Sequence, residues 1–140
     1  MEPADRSQAT AQEVRAAALS LLSRREHSRQ ELHRKLTHRG FPEVLLDGVL
    51  DELRTERLQS DGRFADSYVY GRVSRGFGLL RIRAELRERG VEDALIQAAL
   101  AEADCDWYAL ARDARLRRFG PGEPDTPRDR ARQIRFLQQR

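Results

Sequence analysis

The sequence predicts an all-α protein made of tandem three-helix repeats, each about fifty residues long. Apolar residues recur at helical spacing along most of the chain. The pattern repeats at a shift of 50 residues, which aligns Leu32 with Ile82 and Gly40 with Gly90. Of the 140 residues, 39% are hydrophobic and 35% are charged. That balance is typical of thin helical layers in which each repeat contacts only its neighbours.

The first repeat is expected over residues 12–60. It follows residues 1–11, which lack periodicity and are expected to form a disordered tail. Ser28 and Glu31 have the spacing of a capping box, in which each side chain satisfies the other residue's backbone N–H. They predict the start of the second helix, and Gly40 predicts its left-handed end.

The second repeat is expected over residues 61–103. Asp61 is expected to cap its first helix. Gly76 and Gly78 are expected to break that helix, because glycine permits a tight turn. Gly90 takes the position of Gly40 in the first repeat.

A partial third repeat is expected over residues 104–140, with a Pro/Gly-rich linker at 120–126. Thr126 and Pro127 predict the start of a second helix as N-cap and first-turn proline. The chain reaches Arg140 before any third helix, so this repeat is expected to be incomplete.

The charges separate by helix. Residues 24–40 contain six basic and two acidic residues, and residues 72–89 contain the same numbers. Residues 90–111 contain five acidic residues and no basic ones. Stacked repeats would therefore carry alternating basic and acidic bands suited to a large charged partner. Complementarity to helix dipoles is the alternative explanation, although it does not account for Arg81 and Arg83 early in a helix.

Arginine supplies 25 of the 26 basic residues, and Lys35 is the only lysine. The planar guanidinium favours phosphate or carboxylate partners. Genome composition explains the same arginine bias equally well, so the bias favours an anionic partner only weakly.

The residue pattern indicates no catalytic site, metal or cofactor. His27, His33 and His38 lack the spacing of metal ligands and are expected to be exposed. Cys105 is the single cysteine, which excludes an internal disulfide, and is expected to be buried.

Most aromatic side chains are expected in the core, with Tyr70 and Phe77 the exceptions available to stack on bases. The sequence has no apolar run long enough for a bilayer and no signal-peptide pattern at its start. A cytoplasmic protein without membrane contact is expected.

An ordered set of residues across two repeats resembles the RecX family of regulatory proteins, which modulate the RecA recombinase. The residues are Leu21-Leu22, Arg25, Ser28, Glu31-Leu32, Leu36, Gly40, Asp61, Phe64-Ala65, Tyr68-Val69, Arg72, Gly76, Gly78, Ile82, Glu85-Leu86 and Gly90-Val91. The resemblance covers residues 14–140. Family members continue after the arginine equivalent to Arg140 with Gly-Phe and a final helix, which this sequence lacks. The third repeat is therefore expected to be less stable.

The resemblance implies an elongated, curved protein that binds the RecA–single-stranded DNA filament. It also implies inhibition of strand exchange, ATP hydrolysis and co-protease activity, with no catalysis by the chain itself. The partner would be the RecA filament, with single- or double-stranded DNA possible through the basic face, and the chain would act as a monomer. The alternative function is a general nucleic-acid-binding helical module.

Charge and repeat position select six basic residues as the predicted contact surface. They are Arg25, Lys35, Arg72, Arg75, Arg81 and Arg83.

Overall fold

A computed structural model describes residues 8–140, which form eight α-helices and no strands. The predicted disordered tail falls largely outside this range, and the first helix begins at Ala11. The helices are α1 (Ala11–Leu22), α2 (Arg29–His38), α3 (Glu43–Thr55), α4 (Asp61–Ser74), α5 (Leu79–Glu88), α6 (Asp93–Glu102), α7 (Trp107–Phe119) and α8 (Pro127–Gln139).

Helices α1–α3 and α4–α6 form two successive three-helix repeats, as the sequence predicts. Arg29 begins α2 and Leu79 begins α5, which reproduces the 50-residue shift. In the first repeat α1 packs on α2 and α3, and in the second α4 packs on α5 and α6. Helices α7 and α8 pack against each other after the second repeat.

The helix ends follow from local sequence signals. Ser28 and Glu31 form a complete capping box at the start of α2. Gly40 and Gly90 follow α2 and α5 with φ of 89° and 81°, the left-handed region that glycine enters without a Cβ penalty. Thr126 caps α8 by accepting from the backbone N–H of Asp129.

Each of the first two repeats has its own hydrophobic core, because a three-helix layer buries its apolar stripes inward. The first core contains Val14, Ala18, Leu21, Leu32, Leu36, Phe41, Leu46, Val49, Leu50 and Leu53. The second contains Phe64, Ala65, Val69, Ile82, Leu86, Val91, Ile96, Ala99 and Leu100. Burial of these side chains is the main stabilising contribution, about 1.5–3 kcal/mol for each large aliphatic residue.

Polar contacts join the first repeat to the second. The Ser28 hydroxyl donates to the carbonyl of Arg89 at 2.8 Å, and the Gln30 amide donates to the carbonyl of Glu88 at 2.8 Å. The start of α2 therefore meets the end of α5, so donors at one helix N-terminus satisfy carbonyls at another C-terminus.

The prediction that Asp61 caps α4 was wrong. Ser60 is the N-cap of α4, and its hydroxyl accepts from the backbone N–H of Arg63. Asp61 instead accepts from the backbone N–H of Arg29 at 2.8 Å and from the Gln59 amide at 3.0 Å. Its carboxylate thus satisfies the first turn of α2, which is 32 residues away in sequence.

Several predicted exposures were also wrong. His27 is only 1% exposed. Cys105 is partly rather than fully buried. Phe77 is partly buried because arginine side chains cover it, whereas Tyr108 is 85% exposed rather than in the core.

Candidate binding groove between the first two repeats

A groove with a volume of about 360 Å³ lies between the α1–α2 loop of the first repeat and helices α4 and α5 of the second. We call it the basic groove. It is lined by Arg25, Glu26, Phe64, Ser67, Tyr68, Gly71, Arg72, Arg75 and Arg89. Four of these nine residues are arginines, so the groove presents guanidinium N–H donors over an aromatic floor.

Glu31 orients two arginines of the basic groove, Arg25 from the first repeat and Arg89 from the second. The Arg25 guanidinium donates two hydrogen bonds to its carboxylate, at 3.1 and 3.2 Å, and Arg89 lies 3.9 Å away. The backbone N–H of Ser28 donates to Glu31 at 3.1 Å as part of the capping box. Burial opposes ionisation of Glu31, but the Arg25 and Ser28 hydrogen bonds outweigh it and hold its pKa below the usual value.

Glu85 has the same role on the second-repeat side. It accepts from Arg72 in a bidentate arrangement at 2.9 and 2.7 Å and from the Tyr68 hydroxyl at 3.0 Å. Arg81 approaches the same carboxylate at 3.5 Å. Burial of Glu85 is outweighed by the Arg72 and Tyr68 hydrogen bonds, so its pKa is lowered.

Aromatic rings orient the same arginines. The guanidiniums of Arg72 and Arg81 each lie 4.4 Å from the centroid of Phe77. The Arg89 guanidinium lies 4.8 Å from the centroid of Tyr68. Cation–π contact holds each guanidinium plane without consuming all of its five N–H donors, so donors remain for an external anion.

The basic groove and its ion-pair partners contain an excess of positive charge. They comprise six arginines and three glutamates, namely Arg25, Arg63, Arg72, Arg75, Arg81 and Arg89 with Glu26, Glu31 and Glu85. The Arg75 side chain has no ion-pair partner among residues 8–140, while its backbone carbonyl accepts a hydrogen bond from the Arg140 guanidinium. The groove is therefore suited to an anionic surface.

The structure brings together three of the six predicted contact residues, because Arg25, Arg72 and Arg75 line the basic groove. Arg81 adjoins them through Glu85 and Phe77.

The other two predicted residues lie elsewhere. Lys35 is partly buried and donates to the His27 ring at 2.9 Å, and burial lowers its pKa. Arg83 lines a separate cleft with Arg87 and Asp93.

Sequence reasoning missed Arg89 as a residue of the groove. It also missed Glu31 and Glu85 as the carboxylates that orient the arginines. Their roles depend on partners up to 58 residues apart, as between Glu31 and Arg89. Helical spacing does not reveal such contacts.

A larger cleft of about 500 Å³ is also lined partly by residues of both repeats, and three of its four arginines, all except Arg57, are paired. Arg29 lies 2.8 Å from Asp51, and Arg54 lies 3.6 Å from the same carboxylate. Arg63 lies 3.1 Å from Glu26. The lining of this cleft and its ion-pair partners comprise four arginines and five carboxylates, the latter being Glu26, Asp47, Asp51, Asp61 and Glu92. It therefore offers less attraction to an anion than the basic groove.

Within residues 8–140, no cluster of three or more His, Cys, Asp or Glu side chains could hold a metal ion. Over the same range, none of the helices combines the length and the apolar character that crossing a membrane requires.

Tandem three-helix units with a charged groove between neighbours define a helical repeat protein. The particular family follows from comparison with known proteins. The model of the first RecX three-helix domain matches residues 15–53, and the model of the second matches residues 60–100. The chain belongs to the RecX family.

Relatives of high identity extend the match over most of the chain. Regulatory protein RecX of Halorhodospira halophila (strain DSM 244 / SL1) is 49% identical over 132 residues, covering 94% of this chain and 82% of that protein. Regulatory protein RecX of Ectopseudomonas mendocina (strain ymp) is 45% identical over 124 residues, covering 89% and 83%.

Two solved structures share the fold. A crystal structure of regulatory protein RecX superimposes with a TM-score of 0.74 at 25% identity, covering 92% of this chain and 64% of that chain. The structure of RecX from Lactobacillus salivarius gives a TM-score of 0.59 at 18% identity, covering 91% of this chain and 96% of that chain, and supports the fold alone. This chain thus spans about four fifths of the two relatives above and under two thirds of the first solved structure.

Proposed function

We propose that this chain binds the RecA–single-stranded DNA filament and inhibits its recombinase, ATPase and co-protease activities, without catalysing a reaction itself. Family membership supports the regulatory role, since the relatives are named regulatory proteins. The proposal includes action as a monomer in the cytoplasm, where the filament would form.

The observation that carries the proposal is the basic groove. Three of its four arginines, Arg25, Arg72 and Arg89, are held by Glu31, Glu85 and two aromatic rings before any partner arrives. Preorganisation reduces the side-chain entropy that binding would otherwise cost. A filament that contains DNA presents the anionic groups that such a groove can bind bidentately.

Arg75→Glu tests this proposal with little effect on folding, because the Arg75 side chain is exposed and has no ion-pair partner among the described residues. The wild type should lower the DNA-dependent ATPase of RecA at equimolar or lower ratios. Charge reversal in the groove should raise the concentration needed for half-inhibition about tenfold, which corresponds to about 1.4 kcal/mol. The measurement is ATP hydrolysis by RecA on single-stranded DNA at low salt.

Arg112→Glu on α7 is the matched control, since Arg112 is exposed and does not line the groove. It makes the same change in net charge and should inhibit like the wild type. Absence of inhibition by the wild type at low salt would rule out the proposed function.

A general nucleic-acid-binding module is the second candidate, favoured by the same excess of arginine in the groove. It predicts tight binding to DNA in the absence of RecA, with affinity falling steeply as salt rises. Negligible or salt-insensitive binding to DNA alone would leave the filament as the partner.

A further inference from the structure

A second groove, of about 230 Å³, lies on the other side of α4, between α4 and α6. We call it the acidic-apolar groove. It is lined by Asp66, Val69, Tyr70, Val73, Ala99, Glu102 and Ala103. At about 100° per residue, Asp66, Tyr70 and Val73 project on the face of α4 opposite Tyr68, Arg72 and Arg75. The two grooves therefore share a helix but no lining residue.

The floor of the acidic-apolar groove is apolar and its rim carries an exposed aromatic ring. Val69 and Ala99 are 1% and 3% exposed, while Tyr70 is 78% exposed. Exposed tyrosine is common at interfaces, because it offers a large rigid surface with one hydrogen-bonding group. The described residues, 8–140, leave most of this ring uncovered.

Two carboxylates at the rim are unpaired. Asp66 and Glu102 are exposed, and neither has an ion-pair partner among residues 8–140. No basic residue occurs anywhere from 90 to 111 to offset them. Their field repels phosphate and attracts cationic side chains, which favours a protein partner over DNA at this groove.

In the first repeat, the acid 50 residues before Glu102 is paired with an arginine. Arg15 lies 2.7 Å from Glu56 and 3.9 Å from Glu52. The 50-residue shift places Ala65 where Arg15 stands and Glu102 where Glu52 stands.

The second repeat thus keeps an acid and lacks the arginine that would neutralise it. The same shift places Tyr70 at the position of Ser20. The aromatic ring is therefore also present in the second repeat and absent from the first.

We propose that the acidic-apolar groove docks a segment of the filament protein in which an aliphatic side chain is flanked by lysine or arginine. The aliphatic group would pack on Val73 and Ala103 beside Tyr70, and the flanking cations would pair with Asp66 and Glu102. This inference rests on the proposed function and specifies its protein contact. The chain then binds anionic groups on one face of α4 and a basic segment of RecA on the other.

The test is the dissociation constant for fluorescently labelled wild type and variants titrated with RecA–single-stranded DNA filaments. Tyr70→Ala and, separately, Glu102→Arg should each weaken binding about tenfold. Val44→Ala is the apolar control, since Val44 is 88% exposed on α3. Glu123→Arg, in the exposed linker before α8, is the charge control. Both controls should bind within about twofold of the wild type.

A second measurement with naked single-stranded DNA separates this inference from the proposed function. Glu102→Arg should bind DNA at least as well as the wild type, because the groove does not contact phosphate. Filament binding by both groove variants within twofold of the wild type would overturn the docking inference alone. Failure of the wild type to bind filaments would overturn the proposed function and the inference with it.

Discussion

His27 illustrates a buried polar residue that is satisfied by the surrounding backbone and one cation. Its Nδ1 lies 3.0 Å from the carbonyl of Arg25, and its Nε2 lies 2.9 Å from the Lys35 ammonium. Because an ammonium only donates, Nε2 accepts and Nδ1–H donates to the carbonyl, which fixes a neutral ring. Burial lowers the pKa of His27, and the charges of Arg25 and Lys35 act in the same direction.

Proton binding to His27 should make stability depend on pH. Its pKa is lower in the folded chain than the ordinary value of about 6.5, so the unfolded chain binds the proton first as the pH falls. The contribution of neutral His27 to folding stability is therefore complete above about pH 6.5 and is lost as the pH falls toward the folded-state pKa. Urea unfolding followed by circular dichroism should give a lower free energy of unfolding at pH 5.5 than at pH 7.5. The decrease should be at most about 1.4 kcal/mol per pH unit.

His27→Gln should flatten this dependence, while His38→Gln should retain it because His38 is exposed. Equal pH slopes for the wild type and His27→Gln would contradict the assignment.

At the scale of elements, the second helices of successive repeats meet end to end. The start of α2 donates to the carbonyls of Arg89 and Glu88 at the end of α5. The start of α5 meets the end of α8 in the same way, since the Gly78 N–H donates to the Arg140 carbonyl at 2.7 Å. Positive helix N-termini thus face negative C-termini, which favours the stacking at each junction.

Gly90 lies at the first of these junctions and makes it sensitive to a single methyl group. A Cβ at Gly90 would lie 2.8 Å from the Cβ of Gln30, which the Gln30 side chain cannot relieve by rotation. Gly90→Ala should cost about 1–2 kcal/mol for its left-handed backbone and about 1–3 kcal/mol more for the displaced junction.

Gly76→Ala is the matched control, because Gly76 follows α4 with φ of 80° and the atoms nearest an added Cβ are arginine side-chain ends at 3.4 Å or more. It should incur only the first cost in urea unfolding experiments. Equal destabilisation by the two substitutions would mean that Gln30 does not pack closely at this junction.

The elements could be predicted because their signals are local. The capping box at Ser28 and the glycines at 40 and 90 act within one helical turn, and the 50-residue shift reinforces them. The groove could be predicted only in part. Arg72 and Arg75 follow from charge and repeat position, whereas Glu85, 13 residues from Arg72, acquires its role only when α4 packs on α5.

At the scale of the molecule, α4 separates two surfaces of opposite charge. Arg72 and Arg75 face the basic groove, while Asp66 faces the acidic-apolar groove. The net charge of +3 therefore does not mean one weak positive field over the whole molecule, because a positive and a negative surface lie on opposite sides of α4. A filament that presents both DNA and protein could engage the two sides of the helix at once.

This arrangement predicts that losses on the two sides combine independently. Arg75 and Tyr70 line different grooves and share no contact, so their effects on binding free energy should add. The double variant Arg75→Glu/Tyr70→Ala should bind RecA filaments with a fold-loss equal to the product of the single losses, within about twofold. The dissociation constants of the wild type, both single variants and the double variant are measured at one salt concentration. If the double variant binds filaments as tightly as the single variant that binds less well, both residues serve one contact. Helix α4 would then not bridge two partner surfaces.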